Sequence, residues 1–239
     1  MLILGIDTAS AQVGCALGGV AGILASVELN RGQRHAEQLV PAVQFACRAA
    51  GVDLSEVGAV AVDVGPGLFT GLRVGVATAK ALGLALSVPL IAVCSLDVVA
   101  FAVRQSRRTV VVALDARRGE VFHAWYEPSG AGVGRVSEPA VGPPADVRDR
   151  LAATDREVLV VGDGALRYSA LLGPLDNVEL GGRDLALPRA AALVELVVSA
   201  DADYARLSPD EVAPVYLRQP DAEANWVQRS ASARLGEPG

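Results

Sequence analysis

The chain opens on an apolar run, Leu2-Ile3-Leu4-Gly5-Ile6, that ends on Asp7. Unbroken apolar character over so short a stretch predicts a buried strand at 2–7. From 12 to 17 the pattern alternates, with Val13, Cys15 and Leu17 on one side. After Gly18-Gly19 a return run places Ile23, Ala25, Val27 and Leu29 together. These spacings predict three strands joined as a meander. The period becomes helical over 36–50, where Leu39, Val43, Ala46, Cys47 and Ala50 share a face, Gly51 stops the helix and Pro41 marks its first turn. A strand at 57–64, the turn Gly65-Pro66-Gly67, a helix at 70–86 and a strand at 90–93 follow. The order β-β-β-α-β-α-β-α predicts a mixed sheet with helices on both faces.

The second half repeats the theme. A strand at 110–114 ends at Asp115, the turn Arg117-Arg118-Gly119 leads into a strand at 120–126, and a helix is expected at 144–153. A strand at 158–161 runs into Gly162-Asp163-Gly164, and a long amphipathic helix is expected at 187–202. A strand that meets an aspartate and turns back occurs twice, at Asp7 and at Asp115, which points to two related lobes.

Composition sharpens this division. Of 239 residues 51% are hydrophobic and only 20% charged, with a net charge of −6, below the roughly 25% charged share of ordinary soluble domains. Such a chain is not dominated by disorder. The first 100 residues hold 12 charged side chains and the other 139 hold 36. The expected lobes are therefore 1–100 and 101–218, with a polar tail at 219–239 expected to be disordered. The uncharged stretch from Thr8 to Val27 carries four glycines, and that from Ala81 to Leu96 is broken by Pro89, so neither reads as a membrane span. The start of the chain has no basic segment before Asp7, and the expectation is a cytoplasmic protein away from membranes. Three separated cysteines and two histidines, His35 and His123, offer no metal-binding spacing.

Three segments carry candidate chemistry. In two-lobed ATPases each lobe offers an acid at the end of its first strand and amides that hold phosphates. Asp7, Thr8 and Ser10 could supply one half of such a nucleotide loop, and Asp115 with the glycines Gly162 and Gly164 the other, although Arg117 and Arg118 stand where glycines would let a phosphate approach. The plainer reading of Asp7 is a carboxylate capping nearby amides. The stretch Gly65-Pro66-Gly67-Leu68-Phe69-Thr70-Gly71-Leu72-Arg73 reads as a helix-start anion site with Thr70 as cap, or as a tight strand-to-helix connection without a ligand. In the following helix Gly71, Gly75, Ala79 and Gly83 form a stripe of small residues, beside Lys80, the single lysine of the chain. Such a stripe lets another helix approach closely, either the 36–50 helix or one from a second protein.

Gly5-Ile6-Asp7-Thr8-Ala9-Ser10, His35-Ala36-Glu37-Gln38-Leu39, the Gly65 to Arg73 stretch, Asp115-Ala116-Arg117-Arg118-Gly119-Glu120-Val121-Phe122 and Pro214-Val215-Tyr216-Leu217-Arg218 together resemble the bacterial TsaB (YeaZ) family. The resemblance runs in order over nearly the whole chain outside the tail. Leu68 and Phe122 depart mildly from the family's more usual Ser and Tyr. It implies a two-lobed actin-like ATPase (RNase H-like) fold, with mixed sheets flanked by helices. It also implies a non-catalytic role in making threonylcarbamoyladenosine beside the anticodon of tRNA, with no catalytic or metal residues of its own. The implied partners are a catalytic paralogue, TsaD, and an ATPase, TsaE, with tRNA met only within the complex. Pairing is implied through the helices at 36–50 and 70–86, with Leu39, Val43, Cys47, Gly71, Gly75, Ala79, Lys80 and Gly83 as expected interface residues. An isolated sample is expected to self-associate through the same helices. No intrinsic cofactor is expected, and ATP or ADP only at the heteromeric interface. Two other classes stand beside this one. A self-sufficient ATPase or kinase would use Asp7 and Asp115, and a direct tRNA binder is disfavoured by the net charge of −6 and a pI near 5.0.

Overall fold

The computed structural model describes residues 1–30, 34–130, 132–199 and 204–218. The opening apolar run forms β1 (Leu2–Asp7), followed by β2 (Val13–Gly19), β3 (Gly22–Leu29), α1 (His35–Ala50), β4 (Val57–Gly65), α2 (Phe69–Leu86), β5 (Leu90–Cys94) and α3 (Ser95–Ala102). β1 and β4 are neighbouring strands inside the first sheet and, apart from Asp7 and Asp63, carry no polar side chain because both of their faces are covered. The sheet order is β3-β2-β1-β4-β5, with β1–β2 and β2–β3 antiparallel and β1–β4 and β4–β5 parallel.

The second half contains β6 (Thr109–Arg117), β7 (Glu120–Ser129), β8 (Gly132–Arg135), β9 (Ala140–Gly142), α4 (Pro144–Ala152), β10 (Val158–Val161), α5 (Asp163–Arg167), α6 (Ser169–Leu172), β11 (Val178–Leu180) and α7 (Ala190–Val198). Its sheet order, β11-β10-β6-β7-β8 with β9 also paired to β7, repeats the plan of the first. Again an antiparallel meander continues into two parallel strands. The repeated strand-to-aspartate hairpin at Asp7 and Asp115 therefore marks equivalent positions in two lobes of one design.

Both sheets are covered on both faces. α1 and α2 pack on one side of the first sheet through Leu39, Val43, Ala46, Val76 and Ala79. On its other side Ala190, Leu193 and Val194 of α7 meet Ile3, Ala16, Ala59, Ala61 and Ile91. α3 lies between the lobes: Val98 joins that second layer, while Leu96, Val99 and Ala100 pack on β6 and β7 with Val112 and Ala124. α4, α5 and α6 cover the far side of the second sheet through Val147, Leu151, Ala165 and Leu172.

Four sequence expectations are corrected. The second lobe is not the continuous segment 101–218, because α7 covers the first sheet, Leu207 bridges β5 at Leu90, and Val212 lies in the first lobe's core. The 187–202 helix shortens to Ala190–Val198, with residues 200–203 outside the described part. Pro41 is in the interior of α1, the seventh residue of the helix, on the exposed side where a missing amide hydrogen bond is tolerated. Thr70 is no cap: α2 starts at Phe69 and Leu68 holds the cap position without a side-chain bond. The tail at 219–239 lies outside the described residues. Of the two uncharged stretches weighed as spans, the one from Thr8 to Val27 builds β2 and most of β3. Among the described residues one helix, α2, is long and apolar enough to cross a membrane, and its inner side is packed on the first sheet.

Candidate functional site

β1 and β4 run parallel and in register, Ile6 opposite Val62, so Asp7 and Asp63 stand side by side at the ends of neighbouring strands. Each carboxylate turns back onto its own chain. Asp7 Oδ1 accepts from the Ala9 amide at 2.9 Å, and Asp63 Oδ1 accepts from the Gly65 amide at 2.8 Å and the Ser95 hydroxyl at 2.5 Å. Both side chains are buried, and burial pushes both carboxyls above the usual range, Asp63 up to about 7. For Asp7 the nearby Asp63 adds to the burial, while for Asp63 the Ser95 and Gly65 bonds oppose it.

The Thr8 hydroxyl donates to the Gly71 carbonyl at 2.8 Å and is fully buried. It pins the loop after β1 to the first turn of α2, which takes the Thr8 hydroxyl away from any phosphate. The same docking explains the glycines of the 65–73 stretch. A Cβ on Gly67 would fall 2.2 Å from the Ala9 carbonyl, and one on Gly71 2.0 Å from the Thr8 carbonyl. The Leu68 amide donates to the Ala9 carbonyl at 2.7 Å. Gly65 adopts φ +110° and lies under the Val215 carbonyl, whose own amide donates to Val64 O at 2.7 Å. Phe69 packs against Tyr216, and Arg73 covers the Phe69 ring at 3.8 Å with Nε donating to the Tyr216 hydroxyl. The 65–73 and 214–218 segments, far apart in sequence, are thus two halves of one packed junction.

The second lobe also brings two acids together, Asp115 of β6 and Asp163 at the start of α5, and here cations stand beside them. The Asp115 side chain, 5% exposed, accepts from the Arg117 amide and forms ion pairs at 3.2 Å with both Arg117 and Arg167. Asp163 Oδ1 accepts from the Asp115 amide at 2.9 Å, and burial raises its carboxyl above the ordinary range. Arg117 and Arg118 take φ values of +65° and +53°, and Gly119 +82°, to close the β6–β7 turn. Gly162, with φ +111°, and Gly164 give β6 room: their Cβ atoms would fall 2.1 and 2.8 Å from the Ala113 carbonyl.

Between the lobes a cleft of about 550 Å³ opens, walled by Ser10, Ala11 and the 66–68 loop from one side and by Asp115, Phe122, Asp163 and Leu166 from the other. Arg117, Arg167 and Arg183 reach it, and Leu187 and Pro188 close its floor. Of the residues expected to hold a nucleotide, Ser10 and Asp115 face the cleft. Asp7 and Thr8 do not: they are buried in loop-to-helix bonds. Gly162 and Gly164 are spent on packing against β6. Sequence reasoning missed Asp63, Arg167 and Arg183. Asp63 was hidden in a run read as an apolar strand, and the arginines lie in short segments without periodicity.

The expected interface residues also change face. Leu39, Val43, Cys47, Gly71, Gly75, Ala79 and Gly83 are buried in the chain's own core. A Cβ on Gly75 would meet Thr8 Oγ1 at 2.3 Å and one on Gly83 would meet Leu90 at 2.9 Å, so the small-residue stripe seats α2 on its own sheet. Lys80 is half-buried at the side of α2. The outer sides of the same helices carry Val40, Phe45 and Leu84 at 49%, 56% and 70% exposure, with Ala49, Ala77, Ala81 and Ala85 around them.

Two lobes built on one mixed-sheet plan, helices on both faces of each sheet and a cleft at the strand ends define a two-lobed α/β protein of the actin-like class. The family model described as TsaD, tRNA N6-adenosine threonylcarbamoyltransferase, matches residues 22–226. The tRNA threonylcarbamoyladenosine biosynthesis protein TsaB of Escherichia coli is 33% identical over 221 residues, covering 91% of this chain and 95% of that protein. An uncharacterized protein of Mycobacterium leprae is 40% identical over 227 residues, and the match spans 93% of this chain but 56% of that longer protein. YeaZ from Pseudomonas aeruginosa superposes with a TM-score of 0.76 at 28% identity, covering 90% of this chain and 99% of that one. The chain belongs to the TsaB family.

Proposed function

We propose that this chain acts in the formation of threonylcarbamoyladenosine on tRNA as a non-catalytic subunit that pairs with and activates the catalytic paralogue TsaD. The observation that carries this reading is the outer side of α1 and α2, where Val40, Phe45 and Leu84 stand exposed on neighbouring helices of the first lobe. Large apolar side chains on adjacent exposed helix faces are what a partner covers. The cleft supports the same division of labour: Asp115 is neutralised by two arginines and Asp7 is buried in its own turn, so neither acid is free to orient a reacting phosphate. In this reading the chain has no resident cofactor, and ATP or ADP is held only where the heteromeric interface completes the cleft. TsaE joins the assembled pair in the cytoplasm, and tRNA is met only within that complex, consistent with a net charge of −6.

Phe45→Glu and Leu84→Glu are expected to abolish co-purification with TsaD and, in the isolated protein, self-association by sedimentation. The thermal midpoint of each variant should stay within about 2 °C of the parent, as for other exposed substitutions. Retained co-purification in both variants overturns this interface. Threonylcarbamoyl transfer by the purified chain alone, without TsaD, overturns the non-catalytic role, as would sustained ATP turnover.

A further inference from the structure

The buried acids of the first lobe differ from those of the second in a way that the partner role does not use. Asp7 is 1% and Asp63 0% exposed, and each has one oxygen, Oδ2, that is buried without any hydrogen-bond partner. Oδ1 of each is already engaged by an amide of its own loop and, for Asp63, by the Ser95 hydroxyl at the start of α3. Two ionised carboxylates on adjacent in-register strands, desolvated and without a cation, would repel each other strongly. The second lobe meets the same problem at Asp115 with Arg117 and Arg167. No such cation stands in the first lobe among the described residues.

We propose that Asp7 and Asp63 hold one proton between their otherwise unpartnered oxygens, so that a carboxylic acid of one donates to the carboxylate of the other. The bond lies across the two loops that meet at the start of α2, since Asp7 caps 7–9, Asp63 caps 63–65, and Leu68 is bonded to Ala9. The shared proton therefore latches the loop after β1 to the loop that opens α2. It takes, with a proton, the part that the arginines play beside Asp115 in the other lobe.

The remaining charged and titratable neighbours do not supply a competing cation. Glu28 on β3 is tied to Arg189, Asp97 on α3 is tied to Arg135 and to the Tyr126 hydroxyl, and the Cys94 thiol is pushed up to about 12 by burial. His35 on α1 is bonded through Nε2 to the Ser10 carbonyl. The shared proton is held above the unfolded carboxylate range, in line with the upward shifts of Asp7 and of Asp63, the latter to about 7. Its contribution to stability is thus complete at low pH and is lost as the pH rises through the folded value of the pair.

The test compares the full chain with Asp63→Asn, whose amide can donate to Asp7 Oδ2 without titrating while its oxygen keeps the Gly65 and Ser95 bonds. A one-proton difference makes the wild-type thermal midpoint fall relative to the variant by about 3–5 °C per pH unit between pH 5 and 7. Background titrations such as His123, whose pKa burial lowers, are common to both proteins and cancel in the difference. Infrared spectroscopy at pH 7 should detect a protonated-carboxyl band in the wild type that Asp63→Asn removes. Asp7→Asn is the second variant and should flatten the same pH profile. Parallel wild-type and variant profiles, or no protonated-carboxyl band at pH 7, overturn the proposal. If Asp63→Asn fails to fold, the wild-type band and the Asp7→Asn profile decide it alone.

Discussion

A single hydroxyl settles much of the first lobe's geometry. Thr8 Oγ1 reaches Gly71 O across the start of α2, and the helix can come that close only because Gly71 and Gly75 lack side chains. Replacing Thr8 with Val keeps the shape and removes the donor, so the Gly71 carbonyl is left with its helical bond alone. The expected loss is about 0.5–1.5 kcal/mol by urea denaturation, with no effect on the second lobe's packing. Residues of this kind are only partly legible in sequence. The plainer reading of Asp7, a carboxylate folded onto its own turn, is the one the structure bears out, because an acid followed by small polar residues favours such a turn wherever it stands. That Asp7 has Asp63 as a neighbour depends on strand register across 56 positions, and no local pattern reports that.

At the scale of elements, the long apolar and periodic segments were readable. β1 matches its expected ends, and α1 and α2 each begin one residue before expectation. What failed was the direction of a face. A stripe of Gly71, Gly75, Ala79 and Gly83 permits close approach by anything, and periodicity does not distinguish a neighbouring sheet from a foreign helix. Here the sheet takes it. Gly75→Leu should therefore unfold the first lobe rather than merely unpair a complex. At least about 3 kcal/mol is expected from overpacking and the broken Thr8 bond together, measured by the loss of near-ultraviolet dichroism and a lowered thermal midpoint. A folded, stable Gly75→Leu variant would contradict the packing. The elements missed altogether, β8, β9, α5, α6 and β11, are three to five residues long. Such lengths carry too few positions for a period to emerge.

At the scale of the whole molecule, charge density located a boundary near residue 100 but not the path of the chain. Contacts, not sequence order, assign α7 and residues 204–216 to the first lobe: Leu193 and Val194 sit on β1, β2 and β4, Val215 is bonded to Val64 and Tyr216 packs on Phe69, whereas Leu217 already packs on the second lobe's core. Arg218 then ties the returning chain to the second lobe through the Ala116 carbonyl and Glu120. A fragment of residues 1–104 accordingly lacks the cover for one face of its sheet. It is expected to be aggregated or expanded by gel filtration, without a cooperative thermal transition, whereas a fragment able to fold by itself would argue for independent lobes.

The same crossing has a consequence for how the protein is made. Chains leave the ribosome from the N-terminus, and domains generally complete in that order. Here Ile3 and Ala16 gain their cover only when Leu193 and Val194, far downstream of them, have been synthesised. The nascent chain therefore carries an open hydrophobic sheet face until α7 has left the ribosome, and the first lobe closes only then.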